Sequence, residues 1–251
     1  MTAAAAGFGV LALVLWEAAV RGFGVPPYIL PGPIAILQAF AADPLGLLAA
    51  LGSTLAVTFA ALIAAAALGA GLAVGMASSR LARAAILPWA VALQVTPIVA
   101  ITPLIIVWVN DPFASLVVCA TIVAFFPVFA NTAAGLDAVA PELRELFQLY
   151  GAGRWAVLTR LRIPSALPYF LAGLRISGGL ALVGAVVAEF VAGSGGFASG
   201  LAYRILEAGY RLQVPRMFAA LVLLALTGVA INAGLGAFGR WVLRIRGEAA
   251  S

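Results

Sequence analysis

Apolar residues in this chain run together instead of alternating with polar ones. A bilayer-crossing helix needs about 20 mainly apolar residues, and six runs meet that length: 3–20, 55–77, 86–109, 113–134, 168–192 and 217–242. The third is interrupted by Pro88, Pro97 and Pro103, each of which removes a backbone donor; a kinked or broken helix is expected there. Between the runs lie short connectors. Residues 22–46 carry five prolines and read as an extended turn followed by a short interfacial helix. "SSRLARA" at 78–84 reads as a short basic loop, and "NDP" at 110–112 as a tight turn. Residues 193–216 read as a glycine-rich bend and a short amphipathic helix.

One connector breaks the pattern. Within 21 residues stand Glu142, Arg144, Glu145, Arg154, Arg160 and Arg162. Pro141 suits a first helical turn, and Glu142 favours the positive end of a helix dipole. Leu143, Leu146, Phe147 and Tyr150 recur at helical spacing as one apolar stripe. Gly151 is a C-terminal stop. Arg154–Arg162 is expected as a second short helix closed by Pro164. An interfacial helix lying on headgroups would account for the basic half. It accounts poorly for the acidic half, because the cytoplasmic leaflet is itself anionic.

Composition turns these runs into a class. Of 251 residues, 65% are hydrophobic and 9% charged, against about 25% charged in soluble domains. Such a chain cannot cover its own surface with polar groups, so its solvent is lipid: an all-α polytopic membrane protein with six transmembrane helices. All 14 basic residues are Arg and there is no His. The arginines are scattered, which argues against nucleic acid. A lone Cys119 excludes a disulfide framework, and the lack of His removes most transition-metal sites and any Ser-His-Asp triad. No metal site is expected. The apolar N-terminus lacks a basic n-region and reads as a retained span.

Arginine distribution sets an expected orientation. Arg80, Arg83, Arg144, Arg154, Arg160, Arg162, Arg240, Arg244 and Arg246 fall on one side; Arg21, Arg204, Arg211 and Arg216 fall on the other. Nine against four puts the first set, the charged loop and both termini in the cytoplasm. Residues 1–251 are then one transmembrane domain. Residues 1–54 supply the first span and an outer interfacial segment, 55–242 a five-span core, and 135–167 a cytoplasmic loop.

Glu145-Leu146-Phe147, Gly151, Leu161 and Ile163-Pro164 resemble the "EAA…G…I.LP" loop of ABC importer permeases; the two small residues after the Glu are here Leu146 and Phe147. "LPGPIAILQAF", "FFPVFANTAAGLDAV", "LPYFLAGLRISGGLALVGAVVAEFV" and "RMFAALVLLALTGVAIN" are similar, in order, to the nitrate/sulfonate/taurine-type subfamily. Where that subfamily usually has "WFGxGE", this chain has "VWVNDP". The resemblance implies a type I importer bundle acting as a homodimer in the bacterial inner membrane. It implies two copies of a separate ATPase subunit, which carries the ATP and Mg; this chain would bind no cofactor. It also implies an external, periplasmic substrate-binding protein, and a small anion or pyrimidine-type precursor as cargo. Glu142, Glu145, Leu146, Phe147, Tyr150, Gly151, Ile163 and Pro164 become the expected ATPase-coupling set. The chain has no G-x-x-x-x-G-K-[ST] phosphate loop, so energy must come from a partner.

Polar residues inside the runs are the remaining candidates. Gln94, Thr96 and Thr102 flank Pro97 and Pro103; they either repair the loosened helix or line a pathway. Glu189 near the end of the fifth run must be paired, protonated or wet. Arg204 and Arg211 are its candidate partners; a structural salt bridge, a gate latch or a substrate contact are the alternatives for it. Arg175 is expected to snorkel or to pair with Asp137 or Glu142, and Glu17 with Arg21. Gly193, Gly195, Gly196 and Gly200, with Tyr203 and Arg204 beyond them, are expected in an outer gate or, alternatively, a plain connector. Small-residue faces in the second and fifth runs are expected to pack closely. A secondary transporter or channel would need mid-membrane carboxylates or an inverted repeat, and an intramembrane enzyme an acid/base pair; neither is evident.

Overall fold

The computed structural model describes residues 2–193 and 199–246. The described residues are helical apart from short connectors, with no strand among them. In order they form α1 (Thr2–Gly22), α2 (Pro33–Ala42), α3 (Pro44–Ser78), α4 (Arg80–Val95), α5 (Ile98–Val109), α6 (Pro112–Asp137) and α7 (Pro141–Leu149). Then come α8 (Arg154–Val157), a π-helical turn (Leu158–Arg162), α9 (Ile163–Ala192), α10 (Leu201–Tyr210) and α11 (Val214–Ile245). Four helical runs are long and apolar enough to cross a membrane: α3, α6, the run Arg154–Ala192, and α11. The bent pair α4–α5 makes a fifth if it is one crossing.

Two boundaries differ from expectation for a local reason. The second run begins at Pro44, well before residue 55, because Pro44 tolerates a first helical turn and the Asp43 carboxylate accepts from Gly46 N at 3.0 Å. The basic loop at 78–84 is not a loop. Ser79 accepts from the N–H groups of Leu81 and Ala82 and so caps α4, which starts at Arg80.

The chain forms two compact units, Met1–Thr54 with Gly193–Thr227, and Leu55–Ala192 with Gly228–Ser251. In the first, Ile36, Leu47, Ala50, Leu201, Ile205, Ala219 and Ala220 form a buried core with Trp16 and Phe218 against it. Polar ties fix the corners: Arg21 pairs with Glu17 as expected, Glu17 also accepts from Ile34 N at 3.1 Å, and Arg216 pairs with Asp43. Thr54 Oγ1 accepts from Leu201 N at the start of α10.

In the second unit α6 is the most enclosed helix and packs along α9. Their backbones approach closely because glycine permits it. A Cβ on Gly184 would stand 2.8 Å from Ala120 Cα, and one on Gly173 2.7 Å from the Pro127 carbonyl oxygen. The small face expected in the fifth run therefore packs inside the bundle. Stacked Phe125 and Phe129 fill one end of the core with Met76, Leu136 and Leu158.

Candidate functional site: the charged loop and the broken helix

α7 forms as its sequence directs. Pro141 occupies the first turn, and Gly151 takes a left-handed φ of 68°. Ala152 N reaches back to the Phe147 carbonyl oxygen at 2.9 Å, which closes the helix end. No residue of α7 is buried. Of the apolar stripe, Leu143, Leu146 and Tyr150 are exposed and Phe147 is half-buried. Glu142 and Glu145 are exposed beside them. The stripe is thus an apolar face that the described residues leave largely uncovered.

The second half of the loop departs from expectation. Arg154–Arg162 is not a short helix closed by Pro164; it opens one continuous 39-residue helical run to Ala192. The π-helical turn makes this possible. There Ile163 N bonds to Leu158 O, one residue further back than in an α-helix. The wider turn relieves the clash between the Pro164 ring and the preceding carbonyls, so proline ends nothing. Ile163 and Pro164 therefore stand inside the helix, and Ser165 Oγ donates to Leu161 O at 2.8 Å.

The base of the loop is tied by a polar knot. Arg162, on the π-turn, donates from Nε to Leu136 O, from Nη1 to Ala77 O and from Nη2 to Asp137 Oδ1, each at 2.8 Å. It thereby caps the C-terminal ends of α6 and α3, where a cation also meets the negative end of the helix dipole. Arg83 of α4 pairs with the other Asp137 oxygen, and Arg144 of α7 donates to the Asp137 carbonyl. Asp137 and Arg162 together thus gather α3, α4, α6, α7 and the π-turn that leads into α9. This corrects the expected partner of Arg175, which instead donates to Asn232 Oδ1 at 2.7 Å. The knot was not foreseen from sequence. Its one signal was a lone acid at the end of the fourth run amid basic connectors. A cavity of about 470 Å³ opens beside it, lined by Ser78, Gln148, Arg154, Trp155 and Arg162 among others.

At Pro97 the third run breaks outright, and α4 and α5 meet at 104°. Thr96 is extended, as a residue before proline prefers. Thr96 Oγ1 donates to Ala92 O, and Thr102 Oγ1 donates to Ile98 O, both at 2.7 Å. Each hydroxyl thus bonds a carbonyl one turn back in its own helix. Thr96 and Gln94 also line a cavity of about 300 Å³ in the elbow, with Ile122, Phe126 and Leu180. Thr102 is fully buried, and Pro103 lies within α5.

Elsewhere, Glu189 is buried, at 3% exposure. Arg204 and Arg211, its expected partners, each pair with Glu207 at 2.9 Å on or beside α10. Tyr203 is half-buried on α10. Gly193 takes φ 55° and Gly200 precedes α10 in extended form; Gly195 and Gly196 lie outside the described residues.

α7 thus stands as an exposed amphipathic helix that ends before Gly151 and is tied to the end of α6. Residues 65–244 match the family described as binding-protein-dependent transport system inner membrane component. The chain belongs to this family. It is an ABC transporter permease, the inner-membrane component of a binding-protein-dependent import system. The chain is 40% identical over 238 residues to the riboflavin transport system permease protein RibX of Chloroflexus aurantiacus, covering 93% of this chain and 87% of that protein. It is 33% identical over 223 residues to the formylaminopyrimidine transport permease protein ThiX of Halalkalibacterium halodurans, covering 88% and 87%. The crystal structure of an amino acid ABC transporter shares the fold, with a TM-score of 0.67 at 20% identity, over 82% of this chain and 97% of that one.

Proposed function

We propose that this permease is a six-span subunit that works as a homodimer with both termini in the cytoplasm. α1 and the α4–α5 pair supply the two crossings beyond the four long runs. α7 docks a cytoplasmic ATPase, two copies per dimer; ATP and Mg bind there and this chain binds neither. An external binding protein delivers the cargo. The observation that carries this reading is the knot at Asp137 and Arg162. It makes the exposed α7 face mechanically continuous with α3, α6 and the 39-residue run. A push on α7 then moves those helices as rigid bodies, which is how alternating access is driven.

The cargo we infer is a small uncharged heterocycle of the flavin or pyrimidine kind. The named relatives support this, as does the elbow cavity, whose polar lining from Gln94 and Thr96 carries no charge. A sulfonate is the second reading, supported by 34% identity over 136 residues to the putative aliphatic sulfonates transport permease protein SsuC of Bacillus subtilis.

Two measurements test the proposal. In a chain with Cys119 replaced, a cysteine at position 152 should resist an impermeant outside reagent and one at 111 should react; the reverse pattern would overturn the orientation. In proteoliposomes holding the ATPase and binding protein, labelled riboflavin or formylaminopyrimidine should be taken up only with ATP. Uptake by this chain alone would sink the importer mechanism.

A further inference from the structure

Arg175 is a cation inside an apolar helix, and the mechanism above does not use it. It is exposed on the face of α9, and its one hydrogen bond among the described residues runs from Nε to Asn232 Oδ1 on α11. Four residues on from Asn232 stands Gly236, and four further on Arg240, so the three share one face of α11. A Cβ placed on Gly236 would lie 3.4 Å from Arg175 Cζ and 3.6 Å from Arg240 Nη1. Two guanidiniums therefore converge over a glycine that leaves the space between them open. None of the ion pairs among the described residues involves either arginine. Charged side chains within transmembrane helices pair, or face water or another polar group. Like charges brought together without a carboxylate attract an anion.

We propose that Arg175, Asn232 and Arg240 form an oxyanion-binding site on the α9–α11 face. The ligand is one phosphate, sulfonate or carboxylate group. The Arg175 Nη pair supplies a planar fork matched to such a group. Arg240 supplies a second charge. Because Asn232 Oδ1 is engaged by Arg175, its Nδ2 is the group left to donate. The site is separate from the elbow lined by Gln94 and Thr96, and it stands whether or not α7 couples to an ATPase. The anion has two sources: an anionic lipid headgroup, if this face meets the bilayer, or a soluble oxyanion, if it meets an aqueous path.

The full chain in phosphatidylcholine nanodiscs, with and without phosphatidylglycerol, tests this. Native mass spectrometry reads retained phosphatidylglycerol. Thermal unfolding during titration with inorganic phosphate or methanesulfonate, in discs of phosphatidylcholine alone, reads the soluble source. Saturable binding in either arm supports the site and identifies its source. Arg175→Gln and Arg240→Gln should each weaken that binding about tenfold, the loss expected of one charge-assisted contact. Arg175→Lys should restore part of it, and Arg160→Gln, at an exposed position about four turns back from Arg175 along the same helical run, should leave it unchanged. Should Arg175→Gln fail to insert, Arg240→Gln alone decides. Binding that is absent in both arms, or equal in wild type and Arg240→Gln, overturns the proposal.

Discussion

Pro97 and Pro164 are the same residue with opposite outcomes. At Pro97 the chain turns by 104° between α4 and α5; at Pro164 it continues in a 39-residue helical run. Pro88, Pro103, Pro127 and Pro168 also lie within helices. Proline therefore does not decide by itself. Before Pro97, Thr96 is extended and its hydroxyl finishes α4 on Ala92 O. Before Pro164, Ile163 stays helical because the π-turn has already displaced the clashing carbonyls. The first arrangement opens a largely apolar cavity to which Gln94 and Thr96 add polar groups. The second makes a stiff rod from the loop into the membrane, and Arg162, the residue that ties the rod to its neighbours, sits on the π-turn itself.

The comparison breaks most visibly at the elbow. A proline in a helix interior costs about 3 kcal/mol, so Pro97→Ala removes the main obstacle to a straight α4–α5. Spin labels at positions 87 and 107 should move apart and uptake should fall several-fold with the complex still assembled. An unchanged distance would show that tertiary packing, not Pro97, holds the bend.

Next comes the rod's anchor. Arg162→Gln removes a charge-assisted bond to Asp137 and loosens two helix ends, an expected loss of about 2 kcal/mol. Hydrolysis by the ATPase should continue while transport per ATP drops, with Arg162→Lys intermediate. Transport per ATP at the wild-type value would show that the knot does not transmit motion.

The docking face should be slightly more forgiving. Phe147→Ala should weaken ATPase binding by on the order of 2 kcal/mol, read by co-elution and titration. Gly151→Val should also impair it, because a β-branched residue disfavours the left-handed turn seen there. Membrane insertion should survive both changes, since neither residue lies in a long apolar run.

The smallest effect should be at Pro164. Pro164→Ala adds a donor where the π-turn needs none, and stability should shift by less than about 1 kcal/mol. If the turn then relaxes to a regular α-helix, α7 rotates against α9 and coupling falls. Measured transport per ATP, compared with Arg162→Lys, separates geometry from charge.

What could be read from sequence alone follows from local rules. Long apolar runs specify membrane helices because backbone groups in lipid must bond within their own segment. Pro141 and Gly151 bracket α7 through dihedral preferences carried by the residues themselves. The family resemblance likewise rests on short motifs of residues adjacent in the chain, the loop from Glu145 to Pro164 among them. What sequence could not reveal joins distant positions. Arg162 meets Ala77, 85 residues away, and Arg175 meets Asn232, 57 away, where position in the chain points to snorkelling or to Asp137 or Glu142. Pro164 belongs to the same class. Its local rule says stop, and at this position a turn of different hydrogen-bond register carries the helix through. An arginine's reach is set by which helices the bundle brings beside it, because in an apolar interior it takes whichever acceptor lies within about 3 Å. Six apolar runs determined that this chain is a membrane protein; the packing of α3, α6 and α9 decided which of its few charges touch.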